Sequence, residues 1–98
     1  MSVLERVYII LAYPPGISDG YAENMATSVE IPDAMYPYDD DDLVRWAVDV
    51  AKTDMIRLND WTDDDEQDRR DEVEREAIPL AVMVVDTDDT PPSIRFLL

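Results

Sequence analysis

The sequence predicts an α+β domain in which one amphipathic helix packs on a small, mostly antiparallel sheet of about three to four strands, and a second, highly acidic helix lies exposed. Three observations predict it. Apolar, β-branched runs lie near both ends of the chain, a helical period of apolar residues occupies the middle, and a charged segment with almost no apolar stripe follows. The chain has 98 residues, enough for about one hydrophobic core. We therefore expect residues 1–98 to form a single compact domain.

Three apolar segments near the ends of the chain predict strands. Residues 3–13 are rich in β-branched and aromatic side chains and stop at a Pro-Pro-Gly turn, which predicts a central strand. Residues 78–85 form a continuous apolar run, typical of a buried strand, and residues 93–98 predict a last short strand. A turn over residues 86–92 would join these two strands as a hairpin.

The segment between the first strand and the helices is less regular. Residues 18–26 carry apolar side chains at helical spacing, whereas residues 27–31 are compatible with a short strand that Pro32 stops. Residues 32–38 contain two prolines and predict a loop that crosses the surface.

Residues 41–58 contain the clearest helical pattern in the chain. Apolar side chains recur at intervals of three and four residues, and a polar stripe lies opposite them. The four aspartates 39–42 supply an N-cap and place carboxylates at the positive end of the helix dipole. Asn59 and Asp60 end the helix, and Trp61 is expected to fold back onto the core.

A second helix is predicted over residues 62–76. Thr62 and Asp65 have the spacing of a helix start, and three acids precede arginines by four positions. Val73 is nearly the only apolar side chain in this segment. The helix should therefore stand off the core and expose most of its circumference to water.

The residue types that the chain lacks exclude several classes of chemistry. It has no cysteine and no histidine, so disulfides, thiolate or imidazole catalysis and the usual zinc sites are excluded. The acids of residues 60–74 do not match a calcium-binding EF-hand loop. Whether the loop is taken to start at Asp60 or at Asp63, its sixth residue is an aspartate and not the glycine that the loop needs. We therefore predict no catalytic residue, no metal site and no cofactor, and a protein that is not an enzyme.

One segment resembles a catalytic motif. Residues 86–90 (Asp-Thr-Asp-Asp-Thr) follow an apolar run, and this pattern is similar to the first motif of the haloacid dehalogenase superfamily. The resemblance implies that Asp86 acts as a nucleophile and Asp88 as a general acid beside Mg²⁺. Two prolines follow at once, where that family places a helix. We keep a Mg²⁺-dependent phosphatase as a minor alternative and interpret the segment as a solvated hairpin loop.

The charge of the chain limits its partners. It has 24 acidic and 8 basic residues, a formal charge of −16, and two thirds of the acids lie within residues 39–76. A negative field repels nucleic acids and anionic membranes, so we expect a basic protein or a cation as partner, without direct nucleic-acid or membrane binding. The apolar run at the start is too short for a signal peptide or a membrane span, which predicts a cytoplasmic location.

The second predicted helix approaches the linear charge density of a nucleic-acid backbone. Nine acids and three arginines over about 22 Å leave one net charge per about 3.7 Å, against about 3.4 Å for one strand of B-DNA. Trp61, Tyr36 and Tyr38 are candidate aromatic anchors at its edge. The predicted partner-binding carboxylates are Asp39, Asp40, Asp41, Asp42, Asp63, Asp64, Asp65, Glu66, Asp68, Asp71 and Glu72.

In size and charge the chain resembles the broad class of small acidic inhibitors, which includes phage anti-CRISPR and antirestriction DNA mimics and the immunity proteins of nuclease toxins. The resemblance implies a non-catalytic inhibitor that occupies the basic nucleic-acid-binding groove of a nuclease or effector complex. The excess of Asp over Glu and of Arg over Lys is equally typical of salt adaptation, so a halophile-type regulatory or housekeeping domain remains the alternative. The apolar residues 96–98 could complete the core or pair with a second copy as a homodimer, and the sequence does not choose between the two.

Overall fold

Four strands and two helices make up the described part of the chain. The computed structural model describes residues 5–15, 23–86, 91 and 93–98. The strands form one sheet in the order β2-β1-β3-β4, and every neighbouring pair is antiparallel. The predicted α+β class is therefore confirmed. In chain order the elements are β1 (Glu5–Ala12), β2 (Asn24–Glu30), α1 (Asp40–Leu58), α2 (Gln67–Glu76), β3 (Ile78–Asp86) and β4 (Ser93–Phe96), with short 3₁₀ turns at Asp33–Met35 and Asp64–Glu66.

β1 lies in the middle of the sheet, as its apolar composition predicts. It pairs with β2 on one side and with β3 on the other. Because successive side chains of a strand alternate between the two faces, Val7, Ile9 and Leu11 share one face, where they are fully buried under the helices. The pairing with β3 shifts register between Ile10 and Leu11, which leaves Leu80 as an extra residue in β3.

α1 supplies the other half of the core. Leu43, Ala47, Ala51 and Met55 recur at four-residue intervals and are fully buried against the sheet. The two alanines in the middle allow the helix backbone to approach the strands closely. The predicted helix 41–58 is thus confirmed to within one residue at its start.

α1 runs parallel to β1. The loop before the helix contacts the start of β1, where Tyr36 Oη donates a hydrogen bond of 2.6 Å to Glu5 Oε1. The turn after the helix contacts the residue that follows β1, where Asn59 Nδ2 donates to Tyr13 Oη at 3.1 Å. The two ends of α1 therefore lie at the two ends of the central strand.

β2 begins earlier than the predicted strand 27–31. Asn24 pairs with Ala12 and Met25 with Leu11, so residues 24–26, predicted to be helical, belong to the strand. Met25 contributes its side chain to the core, and this burial favours pairing over helix formation. The part of the predicted helical segment from residue 18 to residue 22 lies outside the described residues.

The β3–β4 hairpin is confirmed, but β3 is less buried than its apolar run predicts. Val82 and Val84 are buried beneath the helices, whereas Ile78 is more than half exposed. Because both helices pack on one face, alternate side chains of the strand have no helix above them. β4 ends at Phe96, earlier than predicted, and Leu97 packs against the core.

Candidate functional site

The predicted carboxylates fall into two groups at opposite ends of α1. The 19 residues of this helix span about 28 Å, so the helix separates the two groups by that length. We call the residues before and at its start the helix-start group: Asp39, Asp40, Asp41 and Asp42. We call the residues after its end the α2 group: Asp63, Asp64, Asp65, Glu66, Asp68, Asp71 and Glu72.

A tight turn after α1 positions the α2 group. Asp60 has a φ of 57°, in the left-handed region that Asp tolerates better than most residues. The reversal lets the backbone N–H of Trp61 donate to the carbonyl oxygen of Ile56 at 3.0 Å. A 3₁₀ turn over Asp64–Glu66 then leads into α2, so the prediction of a helix from residue 62 is wrong in its first turn.

Trp61 holds this turn on the core. Its side chain is 3% exposed and packs edge-on against Tyr13, with ring centroids 6.3 Å apart. The expected return of Trp61 to the core is confirmed. The prediction that Trp61 anchors a partner is wrong, because a buried indole offers no surface to one.

The two arginines in the middle of the α2 group turn back onto the same turn. Arg70 Nη1 donates hydrogen bonds to the carbonyl oxygens of Trp61 and Asp63, both at 2.8 Å, and Nη2 donates to Gln67 Oε1 at 2.9 Å. The guanidinium of Arg69 lies 5.6 Å from the centre of the Trp61 ring and forms an ion pair with Glu66 at 3.6 Å. Both cations therefore have intramolecular partners.

The carboxylates of the α2 group face the solvent. Asp63, Asp64, Asp65, Asp68 and Asp71 are exposed, and Glu66 and Glu72 are half-buried. A shallow depression of about 370 Å³ is lined by Asp65, Glu66, Asp68, Arg69 and Glu72. Asp71 also accepts a hydrogen bond of 2.8 Å from Gln67 Nε2. Apart from Arg69 this depression is lined by carboxylates alone, which makes it suited to cationic groups.

α2 is attached to α1 at two places. Val73 is the only residue of α2 with a fully buried side chain, and it joins the common core. Lys52 Nζ on α1 donates a hydrogen bond of 2.8 Å to the carbonyl oxygen of Glu74, near the negative end of the α2 dipole. The predicted exposure of this helix is confirmed, and its acids are held on a supported element.

The helix-start group is partly paired within the molecule. Asp39 is the N-cap residue of α1, as predicted, but its side chain makes no capping hydrogen bond. Asp40 accepts a hydrogen bond of 2.8 Å from Arg95 Nη1 on β4, and Asp42 lies 3.8 Å from Arg45 Nη1. This group therefore offers less unpaired charge than its four consecutive aspartates suggest.

Tyr36 and Tyr38 form a cluster beside the helix-start group. Their ring centroids lie 5.4 Å apart; Tyr36 donates to Glu5, and Tyr38 Oη accepts a hydrogen bond of 2.8 Å from Arg95 Nη2. The sequence pattern did not predict this cluster, because Glu5 and Arg95 are distant along the chain. Tyr36 remains 38% exposed, so it is available as an anchor, but at the opposite end of α1 from the α2 group.

Other kinds of site receive no structural support from the described residues. Within the ranges described, no three acidic side chains converge closely enough to hold a metal ion, and no helix has the length and apolar character needed to cross a membrane. Asp86 ends β3, and residues 87–90 of the motif that resembles haloacid dehalogenases lie outside the described residues.

Comparison of the chain with protein-family models, with curated proteins and with solved structures found no match to any of them.

Proposed function

We propose that this chain is a non-catalytic acidic binding protein, a DNA-mimic-type inhibitor of the anti-CRISPR, antirestriction or immunity-protein kind. Its α2 group would occupy the basic nucleic-acid-binding groove of a nuclease or effector complex. The observation that carries the proposal is that Arg70 bonds to backbone carbonyls of the preceding turn and Arg69 pairs with Trp61 and Glu66, which leaves most carboxylates between the 3₁₀ turn and the end of α2 exposed and without a cationic partner among the described residues. A cytoplasmic location is part of the proposal.

The spacing of these charges supports the proposal. The 3₁₀ turn and the ten residues of α2 together span about 21 Å. Eight acids and three arginines lie in this segment, so there is one net charge per about 4.2 Å, against about 3.4 Å for one strand of B-DNA. A groove whose flexible Lys and Arg side chains neutralise successive phosphates can also neutralise carboxylates at this comparable spacing.

The energetics of such a complex follow from its charges. Opposed fields accelerate association by about 10–10³ at low salt, and the pairs that lose their water at the centre of the contact determine its lifetime. Binding should therefore weaken as salt concentration rises.

A matched pair of triple variants tests the proposal. Asp64→Asn/Asp68→Asn/Asp71→Asn neutralises the α2 group, and Glu23→Gln/Asp33→Asn/Asp49→Asn removes the same charge from exposed positions elsewhere. Immobilised parent protein is exposed to a nuclease-treated lysate of the source cells, and retained proteins are challenged with short duplex DNA. We expect the duplex to release the partner, and the first variant to bind it about 10²-fold more weakly than the second. Equal binding by both variants, or no release by duplex DNA, contradicts the proposal.

A salt-adapted regulatory or housekeeping domain is the second candidate function. The observation that favours it is the dispersal of exposed acids beyond the two groups, at Glu30, Asp33 and Asp49 among others. Thermal melts followed by circular dichroism in about 0.1 M and about 2 M KCl distinguish the two functions. Loss of the fold at low salt supports adaptation to brine. A fold that persists at both concentrations supports the inhibitor, because the protein then remains folded without salt to screen the repulsion between its acids.

A further inference from the structure

The face of the sheet opposite the helices is largely apolar and, within the described strands, has no net charge. Strand pairing places on this open face the even-numbered residues of β1, β2 and β4, the odd-numbered residues 81–85 of β3, and Ile78. No described helix packs on it, because α1 and α2 share the other face. We refer to this surface below as the open face.

Large apolar side chains on the open face are exposed to solvent. Phe96 is 69% exposed and Ile94 58% exposed on β4, and Tyr8 on β1 and Ile78 on β3 are also exposed. Half of the large apolar side chains that the described residues expose lie on this single face. Contiguous exposed apolar surface on a soluble domain marks an interaction site more often than isolated exposed residues do.

The charges of the open face are balanced. Within the described strands it carries one cation, Arg6, and one anion, Glu30, which lie directly opposite each other at the same end of the β1–β2 pair. Arg6 also donates a hydrogen bond of 3.3 Å to Ser28 on this face. A chain with a formal charge of −16 thus keeps one face without net charge. Nothing on this face selects for a basic partner, and an Arg–Glu pair is complementary to a second copy of itself.

We propose that the open face is the interface of a homodimer, with the sheets of two copies stacked face to face. A four-stranded sheet of this length covers about 450 Å², so two copies bury about 900 Å² in total, just below the roughly 1,000 Å² expected of a stable specific interface. The dimer should therefore be weak, with a Kd in the micromolar range. The inference is independent of the proposed inhibitor function, since it uses the opposite face of the molecule.

Stacking through this face separates the acidic surfaces of the two copies. Two packed sheets lie about 10 Å apart, and the helices lie on the outer side of each sheet, so acids on the two helix layers are roughly 30 Å apart. The Debye length at physiological salt is about 8 Å, which screens most of the repulsion over that distance. The remaining repulsion predicts that dimerisation strengthens with salt, the reverse of the effect expected for a basic partner.

Sedimentation equilibrium of the full chain tests the dimer. The parent protein is compared with Phe96→Gln and Ile94→Thr on the open face, and with Leu58→Gln as the matched control, because Leu58 is 68% exposed at the end of α1. Concentrations run from about 1 μM to about 1 mM, in about 0.1 M and about 1 M KCl. Circular dichroism verifies that each variant is folded.

We expect a monomer–dimer equilibrium whose Kd falls several-fold at the higher salt concentration, rises at least about 10-fold in each open-face variant, and changes less than about 2-fold in Leu58→Gln. A parent protein that stays monomeric at about 1 mM overturns the proposal, as does a dimer that Phe96→Gln and Ile94→Thr leave intact. A different protein on this face, or an edge-to-edge dimer through β2, would produce one of these two results.

Discussion

Arg95 on β4 joins the edge of the sheet to the start of α1 through the carboxylate of Asp40, which accepts a hydrogen bond of 2.8 Å from Arg95 Nη1. The second guanidinium nitrogen, Nη2, donates to Tyr38 Oη. The Arg95 side chain therefore connects β4 with α1 and with the loop that precedes α1. Hydrogen bonding to Asp40 raises the pKa of Arg95 above its ordinary value. The pair also commits one of the four helix-start carboxylates to a partner within the molecule.

A double-mutant cycle of Arg95→Gln and Asp40→Asn should give a coupling free energy of about 0.2–1 kcal/mol at low salt. The value is small because both side chains are about half exposed, and it should vanish in about 1 M KCl. Urea unfolding followed by circular dichroism measures it. The pair Arg45 and Asp42, at 3.8 Å and more exposed, is the control and should show coupling close to zero. A coupling that persists unchanged at high salt would contradict this account.

The elements that the sequence predicted well are those whose burial follows from local periodicity. α1 repeats Leu43, Ala47, Ala51 and Met55 at a spacing that only a helix places on one face. β2 had no comparable signal, because its start depends on the pairing of Met25 with Leu11, which is distant along the chain. In β3 the residues of both faces are apolar, which predicted that both faces are buried. The sequence of the strand itself does not indicate that helices pack on only one of them.

The sequence predicted which acids form the candidate site, but not which groups its arginines contact. The four-residue spacing predicted an ion pair between Glu66 and Arg70. In the structure Arg70 instead donates to backbone carbonyls of the preceding turn, in which Asp60 adopts a left-handed conformation. The spacing of residues within one helix does not predict contacts with the turn that precedes it. These contacts occupy Arg70 and leave the neighbouring carboxylates of the α2 group without that cation as a partner.

Stability at high pH should depend on Tyr36. Partial burial, then the hydrogen bond to Glu5 and the charge of that carboxylate, raise the pKa of Tyr36 well above its ordinary value of 10.0. Burial raises the pKa of Tyr38 in the same direction. Above about pH 10 the unfolded chain loses the Tyr36 proton while the folded chain retains it, so the free energy of unfolding falls as pH rises. The stabilising contribution is complete below about pH 10.

The measurement is the urea midpoint of the parent protein and of Tyr36→Phe at about pH 8 and about pH 11. The parent should lose stability between the two pH values. The variant should lose less, because it has no phenol at position 36 to titrate, with Tyr38 responsible for part of the remaining loss. Equal losses in the two proteins would show that Tyr36 does not govern the alkaline limit.

Arg70→Lys should loosen the turn that presents the α2 group while leaving the formal charge of the chain unchanged. A lysine cannot donate to the carbonyl oxygens of Trp61 and Asp63 and to Gln67 at once, because its single ammonium lacks the planar fork of a guanidinium. We expect a loss of about 1–2 kcal/mol in the free energy of unfolding and faster hydrogen exchange of the amides from the 3₁₀ turn through α2. Arg75→Lys, at an exposed position of the same helix, is the matched control and should change stability by less than about 0.5 kcal/mol. Since both variants keep the charge, a weaker interaction of Arg70→Lys alone with a basic partner would show that the partner recognises the arrangement of the carboxylates, whereas equal binding would show that it responds to their number.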